Sequence, residues 1–554
     1  MIYTRWQRQA TNTVRLFEIF QVFAKYGFYD LLSRLGLLQR LPWSLYRQIK
    51  DGFPDIELTW GERLRRVLTE LGPTFVKMGQ ILSTRPDLVG SSIAQELSLL
   101  QDHVAPLPYE EILKTIESAF NKPINEIYPN FDSNPVAAGS LSQVHKAILK
   151  DGTIVAVKVK RAGIDRVIAS DIELMKTIAL WLEGHPDIAF LRPSGIVNEF
   201  ARSIRRELNF LIEARVIQMF RKNMINQKNV LIPKVFKAYT TPEILTMEWV
   251  DGVRIDQFEQ YESRNCDRKT IARLGCEILC KMICEDKLFH ADPHPGNIFI
   301  TYNNQIAFLD LGMAGSLDDQ DVMLITNLLM SIFHQNVKQC TQAVLALCSR
   351  PDFKEIKSLE NEISDFLAFE AYLIISTGQV GKGIERAIEI LRNHGLELES
   401  RFTLLLKALA TIESVGRQLD SEIDFVAIIQ PYFERFILSK YELPNLSREI
   451  NQQLSSLWKF FVELPDDIRN ITSQIVSGEL KFHVHHEYLE KLANILDKSS
   501  SRISISMITS ALIVGSSLLV TTSSTTKNLG TIGFAVAGVL AIYLIISILF
   551  SKKM

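Results

Sequence analysis

Apolar residues recur at helical spacing through most of this chain, and the pattern changes to strand-like runs in only one region. Thr13 to Leu38 carries apolar residues three and four apart with basic residues between them, which predicts an amphipathic helix. Two seats suit it, a membrane surface or the protein's own core. Leu71-Gly72-Pro73 resets the chain, and Pro73 suits the first position of a new helix that carries Lys77-Met78-Gly79-Gln80. Residues 1–130 therefore read as a helical extension. From about Phe131 the period shortens. Leu141 to Leu149 and Ile154 to Lys160 are β-rich runs joined by Asp151-Gly152, a hairpin signal. Helices are predicted near Asp165 to Glu183 and from Ser194 to about Asn223, the second with Ile196, Phe200, Ile204, Leu208 and Leu211 on one face. Val230 to Tyr239 and Glu243 to Val250 predict two more strands, so that Met247-Glu248-Trp249 links two lobes, 131–250 and 251–500. Asp267 to Asp286 reads as helix, as does nearly everything from Gly315 to about Lys498.

The C-terminus is different. Ile503 to Val520 and Leu529 to Phe550 are uncharged and apolar, each long enough for a bilayer core of about 30 Å. A short polar link joins them, which predicts a hairpin of two transmembrane helices over 503–550. Lys498, Arg502, Lys552 and Lys553 at its ends put the rest of the chain on the cytoplasmic or equivalent side, against the opposing Lys527. Ala511/Gly515 and Gly533/Ala537 are spaced for close helix contact. A buried soluble hairpin is the alternative.

Composition changes this picture little. Net charge is −2, so there is no broad basic field for nucleic acid. Six cysteines in 554 residues make no disulfide framework. Cys276, Cys280 and Cys284 stack along one helix face, where buried apolar packing is favoured over a metal site.

The chemistry concentrates in His290-Ala291-Asp292-Pro293-His294-Pro295-Gly296-Asn297, followed by Asp310-Leu311-Gly312. Phosphoryl transfer depends on positioning and charge neutralisation, which calls for acidic groups and Mg²⁺ around ATP. Asp292 suits the residue that orients or deprotonates an acceptor. Asn297 and Asp310 offer oxygen to a hard cation. His290 is expected to shape the loop by hydrogen bonding. Upstream, Val155-Ala156-Val157-Lys158-Val159 places a Lys within a strand, where an ammonium needs an anionic partner or an edge from which to reach water. Glu207 is the expected partner, with Glu199 as the alternative. The loop Val136-Ala137-Ala138-Gly139-Ser140-Leu141-Ser142-Gln143-Val144 precedes this hairpin, and its small residues let backbone approach a phosphate.

With these residues assembled, the chain resembles the UbiB family of atypical protein-kinase-like proteins, also called the ADCK family, from about residue 27 to its end. LGPTFVKMGQILSTRPDLV is similar to the family's K-x-G-Q signature and PVAAGSLSQVH to its Ala-rich loop. VAVKV, MEWVDG, HADPHPGN and DLG follow in the family's order. The resemblance implies an α+β, protein-kinase-like two-lobe fold with a helical N-terminal extension, a helix-rich C-lobe and a terminal hairpin. It implies ATP on Lys158, on the Ala-rich loop and at Glu248, with Mg²⁺ held by Asn297 and Asp310. It also implies that the K-x-G-Q segment brings Lys77 and Gln80 near the phosphates and blocks a protein substrate. ATPase activity is more typical of the family than protein phosphorylation, and the family is linked to isoprenoid quinone and other prenyl-lipid biosynthesis. The partners implied are ATP or ADP, a membrane lipid or prenyl-quinone precursor, and quinone-biosynthesis enzymes. A small-molecule phosphotransferase and a nucleotide-binding scaffold without turnover are the competing readings. One departure stands out. The family's Glu-x-Asp element is Glu207-Leu208-Asn209 here, without its second acid.

Overall fold

The computed structural model describes residues 14–38, 58–100, 105–185, 192–349, 355–371, 374, 377–441, 487–522 and 527–550. The chain separates into two compact units, 1–446 and 447–554.

In the first unit, alternation along Ile154–Lys160 sets the geometry of everything that follows. Val155, Val157 and Val159 are fully buried against Ile112, Ile116 and Tyr128. Because strand side chains alternate between faces, Ala156 and Lys158 share the other face. This strand lies between Ser142–Ile148 and Ile244–Glu248, both antiparallel to it. Asn130–Phe131 and Ala137–Ala138 pair with Ser142–Ile148 and complete a five-stranded sheet. The expected hairpin turn is present: Gly152 has φ +84° and Asp151 Oδ1 accepts from the Thr153 N–H. The expected strand over 230–239 reduces to Val230–Leu231 and a short helical turn, Lys237–Tyr239.

Downstream, short strands frame the chemistry-bearing loops. Leu288–His290 pairs with Ala314–Ser316, and Ile298–Ile300 with Ile306–Phe308, so residues 291–297 and 309–313 emerge side by side. Gly315 faces Phe289 in this pairing, and a Cβ on it would lie 2.1 Å from the Phe289 ring. Only glycine lets that fully buried ring cross the strand. The helix Arg268–Lys281, capped by Asp267, packs Cys276 and Cys280 into the core, with Cys284 in the turn beyond. Burial pushes these thiols up, Cys284 to about 12, and the described residues contain no group of His, Cys, Asp and Glu fit for a metal ion. The thiols act as small apolar side chains.

Of its two possible seats, the N-terminal helix takes the protein core. Leu16, Ile19 and Phe20 pack with Ile168, Ile172 and Phe200, and Arg15 pairs with the buried Asp171 at 3.0 Å. The helix Pro73–Ser83 carries Lys77 and Gln80 and is the one expected to cover the site. A Cβ at Gly79 would lie 2.3 Å from Leu100 Cδ1 and 2.7 Å from Leu68 Cδ1, so glycine permits its close packing.

The second unit contains two paired helices, Glu487–Thr522 and Lys527–Phe550. Their contact uses small residues, Gly533 of the expected set among them. A Cβ at Gly533 would meet Ser516 Oγ at 2.2 Å and one at Gly530 would meet Val520 Cγ2 at 2.5 Å, while none of the described residues lies within 4 Å at Gly515. Among the described residues, no helix is long and apolar enough to cross a membrane. This overturns the expected transmembrane hairpin and, with it, the multi-pass membrane placement. In the first of the two, Ser504, Ser506, Ser510, Ser516 and Ser517 interrupt the apolar run.

Candidate active site

Lys158 points from its strand at the helix Phe210–Asn223. Its Nζ donates to both carboxylate oxygens of Glu213, at 2.8 and 3.0 Å, and lies 3.4 Å from Asp310 Oδ2. Glu213, not Glu207, is therefore the partner of Lys158. The expected single helix over 194–223 is two, Pro193–Glu207 and Phe210–Asn223, and Asn209 starts the second by accepting from the Leu211 N–H. The break shifts the helical phase, so Phe210, Glu213, Ala214 and Ile217 face inward together. Glu207 ends the first helix and pairs instead with Lys77 of the covering helix at 2.7 Å. The alternative, Glu199, takes Arg85 at 3.4 Å and accepts from Ser400 Oγ.

The three downstream residues lie on adjoining loops that meet Lys158 through Asp310. Asp310 is half exposed, accepts the Gly312 N–H on Oδ1 at 2.9 Å and turns Oδ2 to Lys158. Asn297 donates Nδ2 to the Asp292 carbonyl at 3.2 Å, which leaves its amide oxygen on the opposite side. Asp292 Oδ1 lies 2.7 Å from Lys407 Nζ and Oδ2 lies 3.8 Å from His294 Nε2. Behind them His290 is buried, with Nδ1 3.4 Å from the Met313 carbonyl and no partner for Nε2 among the described residues. Carboxylate and amide oxygens are hard donors, the chemistry that suits Mg²⁺.

Charges in this cleft are tuned by one another. Burial works against the Lys158 ammonium, but Asp310 and Glu213 outweigh it and raise its pKa above that of a free lysine. Burial pushes the Glu213 carboxyl up to about 7 against the pull of Lys158. Asp310 goes the other way: burial favours its neutral form, yet Lys158, the Gly312 N–H and Lys77 hold it well below the usual carboxylate range. For Asp292, Lys407 and His294 similarly outweigh burial and lower the pKa. Burial keeps the His290 imidazole below its ordinary value. The acids offered to a cation are thus ionised at neutral pH.

The small-residue loop forms a tight hairpin. Val136 N–H donates to the Val144 carbonyl and Gly139 N–H to the Ser142 carbonyl, both at 2.8 Å. Ala137 and Ala138 pair with Val144 and Gln143. Arg161, which the sequence reading missed, clamps the turn through its Nε to the Gly139 carbonyl at 2.8 Å. Leu141 is buried, and Ser140 Oγ is buried without a hydrogen-bond partner among the described residues. Gln143 is fully buried; it accepts from the Leu107 N–H and faces His145, so it braces the loop from within. Ser142 pairs with Lys160 in the sheet. Glu248 ends its strand with Oε2 accepting from the Lys234 N–H at 3.1 Å and 3.7 Å from Arg221. Gln80 donates to the Leu100 carbonyl at 3.2 Å, while Lys77 reaches the charged cluster through Glu207.

Three family models match this chain: the ABC1 atypical kinase-like domain over 99–344, the UbiB helical domain over 375–424 and the ABC1/UbiB kinase-like C-terminal domain over 487–550. A probable protein kinase UbiB of Cellvibrio japonicus is 34% identical over 480 residues, covering 84% of this chain and 85% of that protein. The chain belongs to the ABC1/UbiB kinase-like family. Other members with the same name are similar, one from Pseudomonas paraeruginosa at 34% identity (80% of this chain, 85% of that protein) and one from Xylella fastidiosa at 31% (84% and 85%). The complex structure of Rv3197 and erythromycin from Mycobacterium tuberculosis is similar with a TM-score of 0.46 and 20% identity, over 68% of this chain and 94% of that one. The fold of this ABC1/UbiB member is kinase-like, rich in helix and mixed with strand.

Within this ABC1/UbiB member, the sequence reading missed Glu213, Arg161 and Lys407. Glu213 was legible: an N-capping Asn209 followed by Phe210, Ala214 and Ile217 marks a new helix whose inner face includes it. Arg161 and Lys407 carry no local signal, because each meets a partner distant in sequence.

Proposed function

We propose that this protein binds Mg²⁺–ATP and hydrolyses it, in support of isoprenoid quinone or other prenyl-lipid biosynthesis. The observation that carries this reading is Lys158 held between Glu213 and Asp310, with Asn297 and Asp292 on the adjoining loop. In this reading Lys158 binds the phosphates, the small-residue loop covers them with Ser140 Oγ turned inward, and the main chain around Glu248 receives the base. Asp310 and Asn297 would hold Mg²⁺, which neutralises phosphate charge when bound. Asp292 orients the acceptor. Water suits that role better than a peptide, because the covering helix brings Lys77 into the same charged cluster and Asp319–Phe333 begins just beyond Ala314–Ser316.

Purified full-length protein with Mg²⁺ and ATP is expected to release ADP. Asp310→Asn and Asp292→Asn are expected to lower that rate by about 100-fold or more. Unchanged turnover in both variants would reject these assignments. Loss of the quinone or prenyl lipid in a deletion strain, restored by the wild type and not by Asp310→Asn, tests the pathway.

A further inference from the structure

The catalytic-loop segment HADPHPGN contains no Lys or Arg, yet a cation is bound to its central acid. That cation is Lys407, on the helix Ser400–Leu419 in the chain's UbiB helical domain. Its Nζ lies 2.7 Å from Asp292 Oδ1. The groups facing the Asp292 carboxylate are this ammonium and His294, at 3.8 Å from Oδ2, with His290 nearby in the same loop. Lys407 is the nearer of the two ion-pair partners.

The helix that carries Lys407 is fixed on both sides of it. Upstream, Ser400 Oγ donates to Glu199, and Arg401 pairs with the buried Asp321 at 3.2 Å. Downstream, Glu413 accepts from the Gly381 N–H and pairs with Arg417 at 2.9 Å. Leu405 and Ala408, flanking Lys407, are buried in the main core. An anchored backbone removes much of the freedom that makes exposed lysine pairs weak. Both partners are about three-quarters buried, with 26% and 24% of their side chains exposed.

We infer that Lys407 is a positioning residue of the phosphotransfer site, holding Asp292 by Oδ1 so that Oδ2 faces the acceptor. This rests on the proposed ATP turnover. A carboxylate tethered by one oxygen cannot rotate its other oxygen away from the acceptor without breaking an ion pair, and catalysis is sensitive to such misplacement. Lys407 touches Asp292, so it works through that residue.

The test uses full-length protein and compares Lys407→Met and Lys407→Arg with the wild type. Lys407→Met is expected to lower kcat for ATP hydrolysis about 10- to 100-fold while KM for ATP stays within about threefold. Lys407→Arg is expected to recover most of the rate. In an Asp292→Asn background, Lys407→Met should produce little further loss, since the two act as a unit. Thermal midpoints and calorimetric Mg²⁺–ATP binding verify the fold of each variant; should the Met variant fail to fold, Lys407→Gln and the Arg variant carry the same comparison. A kcat within twofold of wild type would overturn the inference and leave the ATPase reading intact. So would a faster enzyme, which would make the pair a brake, or losses that multiply in the double variant. Wild-type protein without ADP release would remove both readings together.

Discussion

At the residue scale, two glutamates on neighbouring helices have different work, and burial separates them. Glu213 is almost completely enclosed, whereas Glu207 is about a quarter exposed; the lysines they hold are buried alike. Removing one charge from an enclosed pair leaves the other without its hydrogen bonds, at about 1–3 kcal/mol. A partly exposed pair is worth less than about 1 kcal/mol, because water and salt replace the partner. Glu213→Gln is therefore expected to destabilise the protein by about 1–3 kcal/mol and to lower ATP turnover. Glu207→Gln should cost less than about 1 kcal/mol. Denaturant titration of the two variants, with ADP release alongside, checks the order; equal losses would contradict it.

At the element scale, the departure at Asn209 takes on a definite meaning. Its side chain accepts from the Leu211 N–H and caps the helix that presents Glu213 to Lys158. Asn and Asp cap about equally well, so Asn in place of the family's acid keeps this structural task. Asn209→Asp is expected to leave stability within about 0.5 kcal/mol, and Asn209→Ala to lose about 1 kcal/mol. Chemical denaturation measures both, and an alanine variant as stable as the wild type would contradict the capping role. Much of this level was legible. The Asp151-Gly152 hairpin and the Ile164–Glu183 helix follow from turn chemistry and period. The 194–223 segment was misread because its apolar stripe continues across the break, and periodicity alone does not register a one-residue cap.

At the scale of the whole molecule, the cleft is assembled from parts far apart in the chain. The covering helix brings Lys77, the sheet Lys158, a second helix Glu213, two loops Asp292, Asn297 and Asp310, and the Ser400–Leu419 helix Lys407. A ligand that binds only this assembled state stabilises it by mass action. Mg²⁺–ATP at about 100 times its Kd is expected to add about 2.7 kcal/mol, read as a rise in the thermal midpoint. Chelating the metal should remove most of that rise, and Asp310→Asn should abolish it. A midpoint indifferent to nucleotide in the wild type would contradict the site.

The sequence by itself determined much of the local structure and the family. Strand alternation put Lys158 on the face opposite Val155, Val157 and Val159, and the spacing of Asp292, Asn297 and Asp310 marked the candidate site. These are short-range properties, set by backbone period and by a few neighbouring residues. Tertiary structure decided which charges meet: Glu213 rather than Glu207 on Lys158, Arg161 on the loop, and Lys407 on Asp292. Such pairings depend on helix phase and on how separate elements pack, and a charged residue looks the same in sequence whether it faces solvent or a buried partner.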